Sequence, residues 1–131
     1  TCDVTNSFAK IPLVEYDAWG DFVAAAPYAA TWVAVEMGGE PLETFEHPKR
    51  AVYILGSEDH GIPGTVLRAC HRTVALPSVR YSSFNVAVSG SIVMYDRVAK
   101  QACFRFPRAR HASFIGASCH GVSIWLFSGP F

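Results

Sequence analysis

Short apolar runs recur along the first three quarters of the chain, and most of them end at a glycine or proline. Ile11–Val14 is a short strand candidate. Thr31–Val35 (TWVAV), Ala51–Leu55 (AVYIL) and Val74–Leu76 are apolar throughout and rich in β-branched residues, which suits strands covered on both faces. Gly38-Gly39, Gly56 and Pro77 end them. Between these runs the period changes. Asp17 is placed to cap a helix opening at Ala18, where Trp19, Phe22, Val23 and Ala26 follow at helical spacing until Pro27 stops it. Val66, Leu67, Ala69 and Cys70 form a short amphipathic helix. Asn85 to about Gln101 forms a longer one, with Val88, Ile92, Tyr95 and Ala99 on one face and Asp96 paired with Lys100 four residues on. Strands alternating with helices predict an α/β fold, with a mostly parallel sheet flanked by helices.

The pattern breaks after Gln101. Arg105, Arg108 and Arg110 interleave with Phe104, Phe106 and Pro107 before the apolar stretch Ser123–Phe127. Residues 1–101 therefore read as one domain and 102–131 as a C-terminal extension of unknown role. It is either an arm for RNA or a partner chain, or an irregular extension, and the second reading is favoured.

Half of the 131 residues are hydrophobic and 17% are charged, enough for one packed core. No run reaches the roughly 18–20 apolar residues of a membrane span, and Asp3 and Lys10 interrupt any secretory segment, so a soluble cytoplasmic protein is expected. The four cysteines are far apart, consistent with reduced thiols. Cys70-His71 and Cys119-His120 lack the spacers of zinc ligands, so no metal is expected. The formal net charge of zero hides an asymmetry: residues 1–48 carry one base against eight acids, and residues 49–131 carry ten bases against three acids. A basic half fits a surface that meets phosphate, and equally an ordinary solvated face.

Three strand ends carry candidate chemistry: Glu36-Met37-Gly38-Gly39 after Val35, Gly56-Ser57-Glu58-Asp59-His60-Gly61 after Leu55, and Leu76-Pro77 leading to Ser82-Ser83-Phe84-Asn85. Ligands of open α/β sheets bind beyond the carboxyl ends of the strands, so these loops are placed to converge on one crevice. The Gly56-x-Glu58-x-x-Gly61 spacing is neither a Walker loop nor a dinucleotide fingerprint, which argues against nucleoside triphosphates. Glu58 is a base, a ligand anchor or a loop-ordering acceptor; Ser83 and Asn85 belong to the site or cap the long helix. The residues alone leave these readings open.

AVYILGSEDHGIP resembles the second motif, and TVALPSVRYSSFNVAVSGSIVMYD the third, of the SpoU family of SPOUT RNA methyltransferases, over roughly Val4–Gln101. The resemblance implies an α/β fold with a C-terminal trefoil knot, S-adenosylmethionine as cofactor, a homodimer, and methylation of a ribose 2′-hydroxyl in tRNA or rRNA. It places Val35, Glu36, Gly38, Gly56, Gly61, Leu76 and Ser83 against the cofactor, and Glu58, Ser83 and Asn85 in the catalytic loop system. The family's first motif, which carries an arginine acting on the ribose hydroxyl, lies upstream of the matched region, so the domain is expected to be incomplete at its N-terminus. Arg68, Arg72 and Arg80 do not occupy that motif's position. Two functions follow: an RNA 2′-O-methyltransferase or its cofactor-binding portion, and a non-catalytic module that binds RNA or protein.

Overall fold

A computed structural model describes residues 13–77, 85–102, 113–119 and 122–128. The elements in chain order are β1 (Leu13–Glu15), α1 (Trp19–Ala25), β2 (Thr31–Pro41), β3 (Ala51–Leu55), α2 (Gly64–Ala69), β4 (Arg72–Ala75), α3 (Val86–Ala102), β5 (Ser113–Cys119) and β6 (Val122–Ser128), with a 3₁₀ turn at Leu42–Thr44. They build one six-stranded sheet in the order β1-β5-β6-β3-β2-β4. The three strands expected from apolar runs, β2, β3 and β4, are mutually parallel with β2 in the middle. Every residue of β3 is buried, as a strand between two layers should be.

Successive residues of these strands feed opposite cores. Ala34, Val52 and Ile54 join Phe22 of α1 and Val66 of α2 on one face. Val33, Tyr53, Leu55 and Val74 join Leu42, Phe45 and Val93 of α3 on the other. Each large apolar side chain so buried contributes about 1.5–3 kcal/mol. On the first face Trp19, Phe22 and Trp32 pack ring to ring, with centroids 5.2–5.6 Å apart.

The structure corrects four expectations. Asp17 does not cap α1; the helix opens from Ala18 without a side-chain cap. Gly38-Gly39 does not end the second strand. Val35 and Glu40 both register with Val74, so Glu36–Gly39 bulges out and β2 resumes to Pro41. The inward face of α3 is Val86, Ser89, Val93 and Arg97, and of the expected face Ile92 packs against the core whereas Val88 and Tyr95 are 46% and 78% exposed. Finally, residues 113–119 and 122–128 are not an irregular extension. β5 and β6 form an antiparallel hairpin inserted into the sheet, with β6 antiparallel to β3 and β5 parallel to β1.

Beneath α3 lies a polar chain of which the sequence pattern announced only the Asp96–Lys100 pair. Arg97 is fully buried; its Nη1 donates to Pro48 O (2.7 Å) and Tyr53 Oη (3.0 Å), and its Nη2 to Lys49 O (2.8 Å). His47 Nδ1 is 2.6 Å from Tyr53 Oη, and its Nε2 is 2.7 Å from Asp96 Oδ2. Lys100 also bonds Asp96 (2.8 Å) and reaches Leu42 O and Phe45 O. A carboxylate only accepts, so Nε2 carries the proton of a neutral His47 and Tyr53 donates to Nδ1.

Burial lowers the His47 pKa, as do nearby Arg97 and Lys100, and this outweighs Asp96, which raises it. Burial alone would raise the Asp96 carboxyl, but Lys100 and His47 bring it below its usual value. The unfolded chain therefore binds more protons at both sites. Stability is full above about pH 6.5, the ordinary histidine value, and falls as His47 is forced to protonate below it, with Asp96 adding a further loss in stronger acid. Melting temperatures measured from pH 8 to 5 should decline through this window, and His47→Gln should flatten that slope. An unchanged slope would exclude His47 as the titrating group.

Candidate functional site

The bulge within β2, the loop after β3 and the approach to α3 after β4 all lie toward the carboxyl ends of the three parallel strands, where an open α/β sheet offers its crevice. Two side-chain links join them. Glu36 uses both carboxylate oxygens on backbone amides: Oε1 accepts from Met37 N (3.0 Å), and Oε2 accepts from Ile62 N (3.2 Å), on the far side of the next loop. Glu58 Oε1 accepts a hydrogen bond from Asn85 Nδ2. Asn85 Oδ1 also accepts from the amides of Ala87 (2.9 Å) and Val88 (3.4 Å), so one residue caps α3 and ties it to the glycine loop.

The loop after β3 is folded tightly on itself. Gly61 N donates to Ser57 O (2.9 Å), and His60 N donates to Ser57 Oγ (3.2 Å). Gly61 has a φ of 66°, which favours glycine. A Cβ on Gly56 would lie 2.0 Å from Gly61 C and 2.3 Å from Ile62 N. The close approach that requires a glycine at position 56 is thus to the loop's own backbone. Gly38, with a φ of 84°, stands beside open space, since a Cβ there would meet nothing within 4 Å.

Of the residues singled out by sequence, Glu36, Gly56, Glu58, Gly61 and Asn85 are brought together through this loop. Val35 and Leu76 are half-buried at the border of the α3-side core. Ser83 lies outside the described residues, as do Ser82 and Arg80. Within residues 36–39, 56–63, 76–77 and 85, the charged groups are Glu36, Glu58 and Asp59, with no lysine or arginine. Loop segments charged only by acids favour a ligand carrying positive charge and disfavour a polyphosphate.

Other reactive side chains are engaged elsewhere. Arg72 is bidentate to Glu40 (Nε to Oε1 3.1 Å, Nη2 to Oε2 2.8 Å), donates to Glu46 O, and lies 4.2 Å over the Phe45 ring. Cys70 donates to Val66 O, and burial pushes its thiol up to about 11, so it is a poor nucleophile. His71 Nδ1 accepts from Trp32 N at 2.8 Å, fastening β4 to β2. Among the described residues no group of three His, Cys, Asp or Glu could hold a metal ion, and no helix is long and apolar enough to cross a membrane.

These features define an α/β domain whose candidate loops lie toward the carboxyl ends of parallel strands and are cross-linked through Glu36 and the Glu58–Asn85 pair. The chain belongs to the SpoU rRNA methylase family, which it matches over residues 4–95, and is thereby a member of the SPOUT class of RNA methyltransferases. No curated protein matches it. The matched region takes in all three loops and ends within α3. The family resemblance places Glu36 against the cofactor and gives no sign of its bond to Ile62. The one available signal is an acid closing an otherwise apolar run.

Proposed function

We propose that the domain binds S-adenosylmethionine against these three loops and serves transfer of its methyl group to a ribose 2′-hydroxyl of tRNA or rRNA. The observation that carries this reading is the Glu58–Asn85 bond, which joins the two family motifs into one structure. The acidic loop segments and the open space at Gly38 fit the cationic donor. Val35, Gly38, Gly56, Gly61, Leu76 and Ser83 would hold it, and Glu58, Ser83 and Asn85 would organise the reacting groups.

When bound, the cofactor supplies a methyl group activated by its positively charged sulfur. The chain's own task is placement. Asn85 fixes Glu58 while capping α3, and the self-packed loop holds that pair still, so orientation supplies most of the rate. RNA recognition of this kind acts on unpaired or splayed nucleotides, which goes with a cytoplasmic tRNA or rRNA substrate. The domain works as a homodimer: Val88, Tyr95 and Val98 expose an apolar stripe on the outer side of α3. The family's trefoil-knotted C-terminal threading is part of the same reading.

Calorimetry of the folded protein with S-adenosylmethionine should show stoichiometric binding, and light scattering should give twice the monomer mass. Nucleoside mass spectrometry of tRNA and rRNA pools incubated with the full-length protein should reveal a methylated ribose. A folded sample that gives no heat would remove the cofactor assignment, and methylation on a base would remove the ribose assignment.

A further inference from the structure

We propose that Glu36 is a positioning residue for the Glu58–Asn85 pair and acts through the Ile62 amide without touching the cofactor or the reacting atoms. The methyl-transfer consequence rests on the function proposed above; the structural coupling does not.

Both Glu36 oxygens are committed to backbone donors, one on its own turn and one at Ile62. The segment Gly56–Ile62 is closed by the Ser57–Gly61 bridge, and Glu58 lies inside that closure. At one end the loop continues from β3, whose position the sheet fixes. At the other it is fastened by the Ile62 side chain, buried in the core with Phe22 and Val66, and by Glu36 at the Ile62 amide, and in the middle Glu58 meets Asn85. Release of the Ile62 amide loosens the backbone between that buried side chain and the Ser57–Gly61 closure, and the Glu58 carboxylate shifts with it.

The glycine beside the contact makes the bond possible. A Cβ on Gly61 would come within 2.9 Å of Glu36 Oε2, so a larger residue there would push the carboxylate from Ile62. Gly61 thus serves two demands, a left-handed backbone and room for the brace. A carboxylate acceptor also makes a stronger bond to an amide than a neutral oxygen does.

Three substitutions separate this role from direct attraction of a cationic ligand. Glu36→Ala removes the acceptor and the charge. Glu36→Asp keeps the charge but shortens the reach across to Ile62. Glu36→Gln removes the charge but keeps one oxygen for Ile62. Hydrogen exchange at the Ile62 amide and the NMR signal of the Asn85 side-chain amide are read on the full chain without cofactor or RNA. In Glu36→Ala and Glu36→Asp, Ile62 exchange should rise about tenfold or more and the Asn85 signal should lose its bonded position. In Glu36→Gln both should remain close to the parent.

In the full-length enzyme, Glu36→Ala should lower kcat about tenfold, leave the KM for RNA unchanged, and be largely rescued by Glu36→Gln. Should Glu36→Ala fail to fold, Glu36→Asp carries the same comparison. Unchanged Ile62 and Asn85 signals in Glu36→Asp would overturn the proposal. So would equal loss of S-adenosylmethionine affinity in Glu36→Ala and Glu36→Gln with both signals intact, because that pattern belongs to charge. These signals stand whether or not wild-type protein binds S-adenosylmethionine, so failure of the functional reading is seen separately in the calorimetry.

Discussion

Replacing Arg97 with alanine is expected to lower the unfolding free energy by about 3–5 kcal/mol, read from urea denaturation at neutral pH. The side chain is fully buried between α3 and β3, and its guanidinium reaches Pro48 O, Lys49 O and Tyr53 Oη. Alanine leaves the buried Tyr53 hydroxyl and two part-buried carbonyls without that donor and opens a cavity where a long side chain lay. The loss is large against a total stability of about 5–15 kcal/mol for a domain. Arg97→Lys should recover part of it, since an ammonium keeps the charge but cannot span acceptors that a planar fork reaches together. A loss below about 1 kcal/mol for the alanine variant would mean that α3 is not anchored through this group.

The second large effect is expected at Gly56. Alanine there brings a methyl carbon to 2.0 Å from Gly61 C, a backbone atom that cannot rotate away. The loop has to open, which breaks the Ser57–Gly61 pairing and withdraws Ile62 from Glu36. Overpacking of this kind costs about 1–3 kcal/mol, so the domain should remain folded. On the proposed function the binding cost is greater, because this loop carries Glu58 and is tied to both of the others, through Glu36 and Asn85. Gly56→Ala should abolish measurable S-adenosylmethionine binding in calorimetry while circular dichroism retains the native signal. Gly38→Ala strains only a left-handed turn beside open space and should have a milder effect. Equal binding by Gly56→Ala and the parent would separate the loop's packing from ligand recognition.

Much of the framework was legible because burial on both faces leaves a plain mark. Ala51–Leu55 reads as a continuous β-branched and apolar run, and all five residues are buried. The ends of β3 and β4 were equally readable, since glycine and proline mark where backbone must turn. Asn85 was found as both cap candidate and site residue, and it caps α3 while holding Glu58. The expected face of α3 holds for Ile92 and fails for Val88 and Tyr95 for a physical reason. The helix has apolar residues on two sides, and periodicity cannot tell a stripe that meets the core from one that meets solvent or a partner. The buried side also contains Arg97, which is acceptable there only because distant carbonyls at Pro48 and Lys49 satisfy it. The β5–β6 hairpin escaped for a related reason. Its partners are β1 and β3, far away in sequence, and strand pairing at that range leaves no local pattern.

That long-range pairing also orders events during synthesis. β1 lies at the edge of the sheet, and its one neighbour is β5, with Leu13 opposite Gly116. About a hundred residues must therefore emerge before β1 can be incorporated. The parallel unit β4-β2-β3 needs nothing beyond Ala75 for its own hydrogen bonds and is free to assemble first. Until the hairpin arrives, one edge of fully apolar β3 remains open and prone to adventitious strand pairing. The hairpin, made after every other strand described, is thus the piece that closes the sheet, and assembly is slow because its decisive contacts are the most remote.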